Sequence, residues 1–261
     1  MWRAAAAAIA LVAAAAEPAG ASDALTARLD AALARPLRRG AQVGALVVSS
    51  RDGHALYTRG ADRALAPASN QKILTALAAL EAFGPSHRFR TAVRADRPLD
   101  ASGAVGTLYV IGGGDPGLTA ETWWRLAAEL RALGLTRVRD LVLDDLAFDR
   151  VHWHPTWGAV SSRPYHAPVA ALAAAHGVVS VWVGAGATAG APVSVRLDPP
   201  VAFEIVNRAR TGARRSRNRL RVERELGPRG ERVVVSGSVP AGARPRAVPR
   251  SVLDPVRYAG A

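Results

Sequence analysis

Apolar positions along the chain change period more than once. Residues 23–35 carry Leu25, Leu29, Ala32 and Leu33 at helical spacing, which predicts a helix. Val43 to Val48 is a continuous apolar run, Asp52-Gly53 is a turn signal, and Ala55-Leu56-Tyr57 resumes the apolar pattern, so a β-hairpin is expected. Pro67 stops any earlier regular element, and Ser69 or Asn70 can cap the next helix. The run Ile73, Leu74 and Ala76 to Leu80 then reads as a buried helix, with Lys72 at the edge of a core. Helix, hairpin and helix in this order suit a sheet with a helix packed on it.

From about residue 89 the pattern becomes one of short strands. They are expected at Phe89 to Val93, Thr107 to Ile111, Val138 to Leu143, Val178 to Val183, Val193 to Leu197, Leu220 to Val222 and Val233 to Val235. One clear helix, Thr119 to Leu133, interrupts them and opens with Thr-Ala-Glu. Gly and Pro cluster at 112–117, 184–191, 198–200 and 240–249, marking loops. The fold class is α+β, not a doubly wound sheet, and no fixed repeat is visible.

The first residues alter the picture of where this chain works. Arg3, the apolar Ala4 to Ala16 and the small-residue site Ala19-Gly20-Ala21 read as an export signal over 1–21, with a cut after Ala16 as the alternative. The apolar stretch is too short for a permanent membrane anchor. A periplasmic protein without a transmembrane anchor is expected. It has no cysteine, so no disulfide supports it and no lipid is attached near the cleavage site. The net charge is +13, and eight arginines lie between Arg208 and Arg224. No aromatic interleaves them, as base stacking would require. Nucleic acid is therefore not expected as a partner. A solvated basic face is the plain reading, and peripheral association with membrane or anionic wall polymer is the functional one.

Candidate chemistry centres on two residues. Of the 34 Lys plus Arg residues, Lys72 is the only lysine. A guanidinium cannot lose its proton in a protein, whereas an ammonium can. Lys72 follows Ser69 by three positions, a spacing that shares one helix face. The amine can then take the hydroxyl proton and activate Ser69 as a nucleophile without histidine. Coincidence is the competing reading, since a serine three residues before a lysine is a weak motif by itself.

Other strings are read as structural. Gly112 to Gly117 lacks the Lys-Ser/Thr of a phosphate-binding loop and is expected to be a turn. His152 and His154 could bind zinc with Asp144, Asp145 or Asp149, but no third ligand is fixed by spacing. No metal and no cofactor are expected. Ser216-Arg217-Asn218 and Arg210-Thr211-Gly212 mimic the Ser-x-Asn and Lys-Thr-Gly strings of serine–lysine acyl enzymes. They occur in the wrong order and too close together for opposite walls of a cleft, so they are taken as chance.

Several segments together resemble one family. Pro67-Ala68-Ser69-Asn70-Gln71-Lys72, Leu108 to Pro116, Leu143-Asp144-Asp145 with Phe148-Asp149, Ala167 to Leu172, and Leu253-Asp254-Pro255 with Tyr258 are similar, in order, to the D-alanyl-D-alanine carboxypeptidase/endopeptidase group of low-molecular-mass penicillin-binding proteins, peptidase family S13. The resemblance implies a serine transpeptidase/β-lactamase-like domain interrupted by a long β-rich insertion with one clear helix. Residues 22–88 would be the first part of that domain. The insertion would occupy 89–246, as one or two lobes split near 100–160, and 247–261 would begin the return. The resemblance also implies peptidoglycan stem peptides as substrate, a Ser69 acyl-enzyme formed with Lys72 as base, and β-lactams as covalent inhibitors. The family places Ser-x-Asn and Lys-Thr-Gly after the insertion. Neither occurs there before Ala261, so the sequence is expected to cover the front of such an enzyme, with little or no activity by itself. A non-catalytic peptidoglycan-binding protein and a β-lactamase or esterase on a related scaffold are the alternatives.

Overall fold

The computed structural model describes residues 19–261, with side chains from Asp23 onward. The expected export signal thus lies almost wholly outside the described residues. The chain divides into two compact units, the first ending at His87 and the second running from Arg88 to Ala261.

The first unit contains α1 (Ala19–Arg38), the antiparallel pair β1 (Ala45–Val48) and β2 (Ala55–Arg59), and α2 (Gln71–Phe83). Strand alternation explains its packing. Val47 and Tyr57 are register partners and are buried, as is Val43, whereas Leu46 and Val48 on the other face are exposed. The Tyr57 hydroxyl donates to Asp30 Oδ1 at 2.7 Å, and Arg59 donates to the same oxygen at 2.7 Å. These bonds tie the hairpin to α1, whose Leu25, Leu29 and Leu33 are half-buried.

The helix read as buried is not buried. No residue of α2 is buried among the described residues, and Ile73, Leu74, Leu77, Leu80 and Phe83 are each at least 54% exposed. Its composition is that of a core helix, yet its large apolar side chains are more than half exposed. Lys72 is consequently exposed and not at the edge of a core.

The second unit holds α3 (Ala120–Ala132), α4 (Pro255–Ala259) and eleven strands. β3 (Ala92–Ala95), β4 (Ala104–Ile111) and β5 (Arg137–Asp144) form one sheet, with β4 and β5 parallel and α3 as their crossover. Thr119 caps α3, its hydroxyl accepting from Thr122 N. β6 (Val178–Gly184) lies between β13 (Arg246–Ser251) and β7 (Ser194–Asp198) in an antiparallel sheet. A third sheet orders β10 (Arg221–Gly227), β11 (Gly230–Ser236) and β8 (Glu204–Asn207), and β12 (Ser238–Pro240) pairs in parallel with β9 (Arg210–Gly212). Inward valines make the core: Val179, Val181 and Val183 of β6 and Val233 and Val235 of β11 are fully excluded from solvent. Tyr258 of α4 joins them, and its hydroxyl donates to Val178 O at 2.9 Å. Burial pushes its phenol up from the ordinary value. Residues 246–261 thus pack within this unit.

Four strands escape the sequence pattern: β8, β9, β12 and β13. Two of them have only three residues, and β13 contains Pro249 in a segment read as loop. Proline is tolerated there because β13 pairs only with β6, leaving its other edge free of ladder bonds.

Candidate functional site

Ser69 sits in a 3₁₀ turn, Ala68–Asn70, that runs directly into α2. Neither Ser69 nor Asn70 caps the helix with its side chain, in contrast to the capping expected from sequence. The turn supplies the backbone bonds instead, with Asn70 N donating to Pro67 O at 2.9 Å. The Ser69 hydroxyl is therefore not spent on the helix end. Lys72 Nζ lies 3.4 Å from Ser69 Oγ and donates to it, across the junction of turn and helix. That contact is at the long end of hydrogen bonding.

The residue before the serine is strained. Ala68 has φ +47°, one of three non-glycine residues at positive φ among the described residues. Left-handed backbone at a residue with Cβ costs on the order of 1–3 kcal/mol and collects at functional sites. Here it sits at the first residue of the 3₁₀ turn, directly before Ser69. Sequence reading missed this, because alanine carries no signal for positive φ.

The other strings resolve into local structure. Thr211 of Arg210-Thr211-Gly212 is buried, and its Oγ1 accepts from Gly186 N at 2.8 Å. Ser216 donates to Ala213 O, and Asn218 Oδ1 accepts from Leu220 N. All three polar groups are committed within the second unit. His152 Nδ1 meets Val169 O and His154 Nδ1 meets Thr156 Oγ1, both at 2.8 Å, so each ring braces its own loop. Gly112 and Gly113 are pressed against the backbone of Ala171 and Arg90, where a Cβ would clash, so the glycine-rich segment is a close-packed turn. Arg224 departs from the arginine face: it is half-buried, donates to Ser161 O and Ser251 Oγ, and leaves its Nε without a partner.

Comparison with known proteins places these features. The family model for the D-Ala-D-Ala carboxypeptidase 3 (S13) family matches residues 25–261. The D-alanyl-D-alanine carboxypeptidase of Actinomadura sp. (strain R39) is 39% identical over 241 residues, covering 89% of this chain and 44% of that protein. The D-alanyl-D-alanine carboxypeptidase DacB of Haemophilus influenzae is 31% identical over 117 residues, covering 44% of this chain and 24% of that one. Among solved structures, penicillin binding protein 4 from Haemophilus influenzae matches with a TM-score of 0.66 at 22% identity, covering 83% of this chain and 48% of that one. The same protein complexed with a β-lactam matches with a TM-score of 0.57. The structural likeness carries the fold, and the chain spans less than half the length of the curated relatives it matches.

Proposed function

Because the chain belongs to the D-Ala-D-Ala carboxypeptidase 3 (S13) family, we propose that it carries the nucleophile and base of a serine-type D-alanyl-D-alanine carboxypeptidase and endopeptidase acting on peptidoglycan stem peptides. The observation that supports this most directly is the 3.4 Å contact between Ser69 Oγ and the Nζ of the chain's only lysine. In this reading Lys72 acts as the base that takes the Ser69 proton as Oγ attacks the carbonyl of the penultimate D-alanine. The tetrahedral adduct collapses, the C–N bond breaks, and the departing amine takes up a proton. Water then hydrolyses the Ser69 ester and restores the hydroxyl.

The same step acting on a strained lactam leaves a stable ester, so β-lactams are proposed as covalent inhibitors. Export to the periplasm is proposed on the basic, apolar leader at 1–21. No helix among the described residues is long and apolar enough to cross a membrane. The 261 residues include no Lys-Thr-Gly segment, and an oxyanion donor is worth about 2.7–4 kcal/mol of transition-state stabilisation. Residues 1–261 in isolation are therefore proposed to turn over slowly or not at all.

The test is release of D-alanine from a stem pentapeptide by the full-length gene product. Ser69→Ala should abolish it. Lys72→Arg keeps the charge but removes the titratable base, and should lower the rate by about 10²–10⁴-fold. Undiminished release from either variant would refute the assignment.

A further inference from the structure

The arginine face of the second unit has an order that its sequence does not display. Arg221 is the register partner of Ser236, and Arg208 N donates to Val235 O, which places Arg208 beside Ser236 on the other side. One step further, Arg210 pairs with Ser238, and Arg219 N donates to Ser238 O. Two parallel rows result, Arg221–Ser236–Arg208 and Arg219–Ser238–Arg210. Ala209 between Arg208 and Arg210 is buried, as are the flanking Thr211 and Val222, and Leu220 between Arg219 and Arg221 is half-buried, whereas all four arginines are exposed, as alternation requires. Gly237, at φ +84° between the rows, lets one chain serve both sheets.

Strand geometry sets the spacing. Residues two apart on one strand lie roughly 7 Å apart, and residues across two ladders roughly 10 Å apart. Arg214, Arg215 and Arg217 are exposed on the loop that joins β9 to Arg219. None of these seven arginines forms an ion pair among the described residues, and no acidic residue occurs between Ile205 and Val222. Uncompensated positive charge on rigid strands costs self-repulsion, and an anionic partner removes that cost.

We propose that this face binds a linear phosphodiester polymer of the cell envelope, its phosphates bridged by guanidinium pairs across the two rows. Planar guanidinium groups match phosphate oxygens two at a time, and the serine hydroxyls between them add donors. A bilayer is the weaker occupant. Interfacial binders present apolar side chains beside their charges, and both rows hold only arginine and serine. The proposal rests on the cell-wall reading for where such a polymer is met. Its chemistry is independent of Ser69, so Ser69→Ala should leave binding unchanged and the two readings fail separately.

The test measures binding of residues 1–261 to a glycerol-phosphate oligomer and to phosphatidylglycerol–phosphatidylcholine vesicles across a salt series. Replacing Arg208, Arg210, Arg219 and Arg221 together by Gln should weaken oligomer binding roughly a hundredfold and flatten its log–log salt slope by about 3. A control of equal charge, with Arg94, Arg97, Arg131 and Arg137 changed to Gln, should bind like the parent. If the first variant does not fold, the parent's slope still decides: about −3 or steeper supports the site and a slope near zero excludes it. Equal losses in both variants, or binding to vesicles but not to the oligomer, would overturn the proposal.

Discussion

That Ser69 and Lys72 lie side by side was legible in the sequence from their spacing, a lone lysine one turn from a serine. What positions them was not. Ala68 at φ +47°, directly before Ser69, is invisible to propensity. A β-branched residue tolerates that conformation least, so Ala68→Val is expected to destabilise the first unit by about 1–3 kcal/mol in denaturant unfolding. Asp30 is a second residue whose role appears only in three dimensions. The Tyr57 hydroxyl, and then the Arg59 guanidinium, hold its carboxyl below the ordinary 3.8. A depressed carboxylate stabilises the fold above its unfolded value and loses that contribution as pH falls through the folded one. Docking of the hairpin on α1 should therefore weaken on acidification below about pH 4, and Asp30→Asn should remove that part of the acid dependence. Unfolding titrations of both proteins from neutral to acid pH would check it, and an unchanged acid profile in Asp30→Asn would contradict it.

At the scale of elements, periodicity served where a strand alternates or a helix repeats over several turns. The β1–β2 hairpin, α3 and strands β4, β5, β6 and β11 all fall where the pattern predicts them. It failed for β9 and β12, whose three residues are too few to show a period, and for β13, where an edge position excuses Pro249. It also misjudged α2, because an apolar helix signals that a face needs covering and not that these residues cover it. Two substitutions separate the cases. Leu172 is wholly buried, and Leu172→Ala should cost about 2–5 kcal/mol. Leu77 is 54% exposed, and Leu77→Ala in residues 1–261 should change stability by no more than about 0.5 kcal/mol. Between β11 and β12, Gly237→Ala places a methyl against Arg219 O at positive φ. A loss of about 1–3 kcal/mol is expected, with the β9–β12 pairing exchanging hydrogen first.

At the scale of the whole molecule, the chain forms two compact units. The first presents the serine–lysine pair on an apolar helix, and the second is a valine-cored α+β body with an ordered arginine face. The family match runs through both, from residue 25 to 261. Membership and fold class were legible because short segments scattered along the chain keep the family's order. The ordering of the arginines was not, since strand register decides it. The claim on which the function depends is that Ser69 becomes acylated with Lys72 as its base. Intact-mass and peptide-map analysis of the full-length gene product after exposure to benzylpenicillin tests it most directly. One adduct on the Ser69 peptide, absent in Ser69→Ala and greatly slowed in Lys72→Arg, is the predicted result; an adduct elsewhere, or one indifferent to both substitutions, would contradict it.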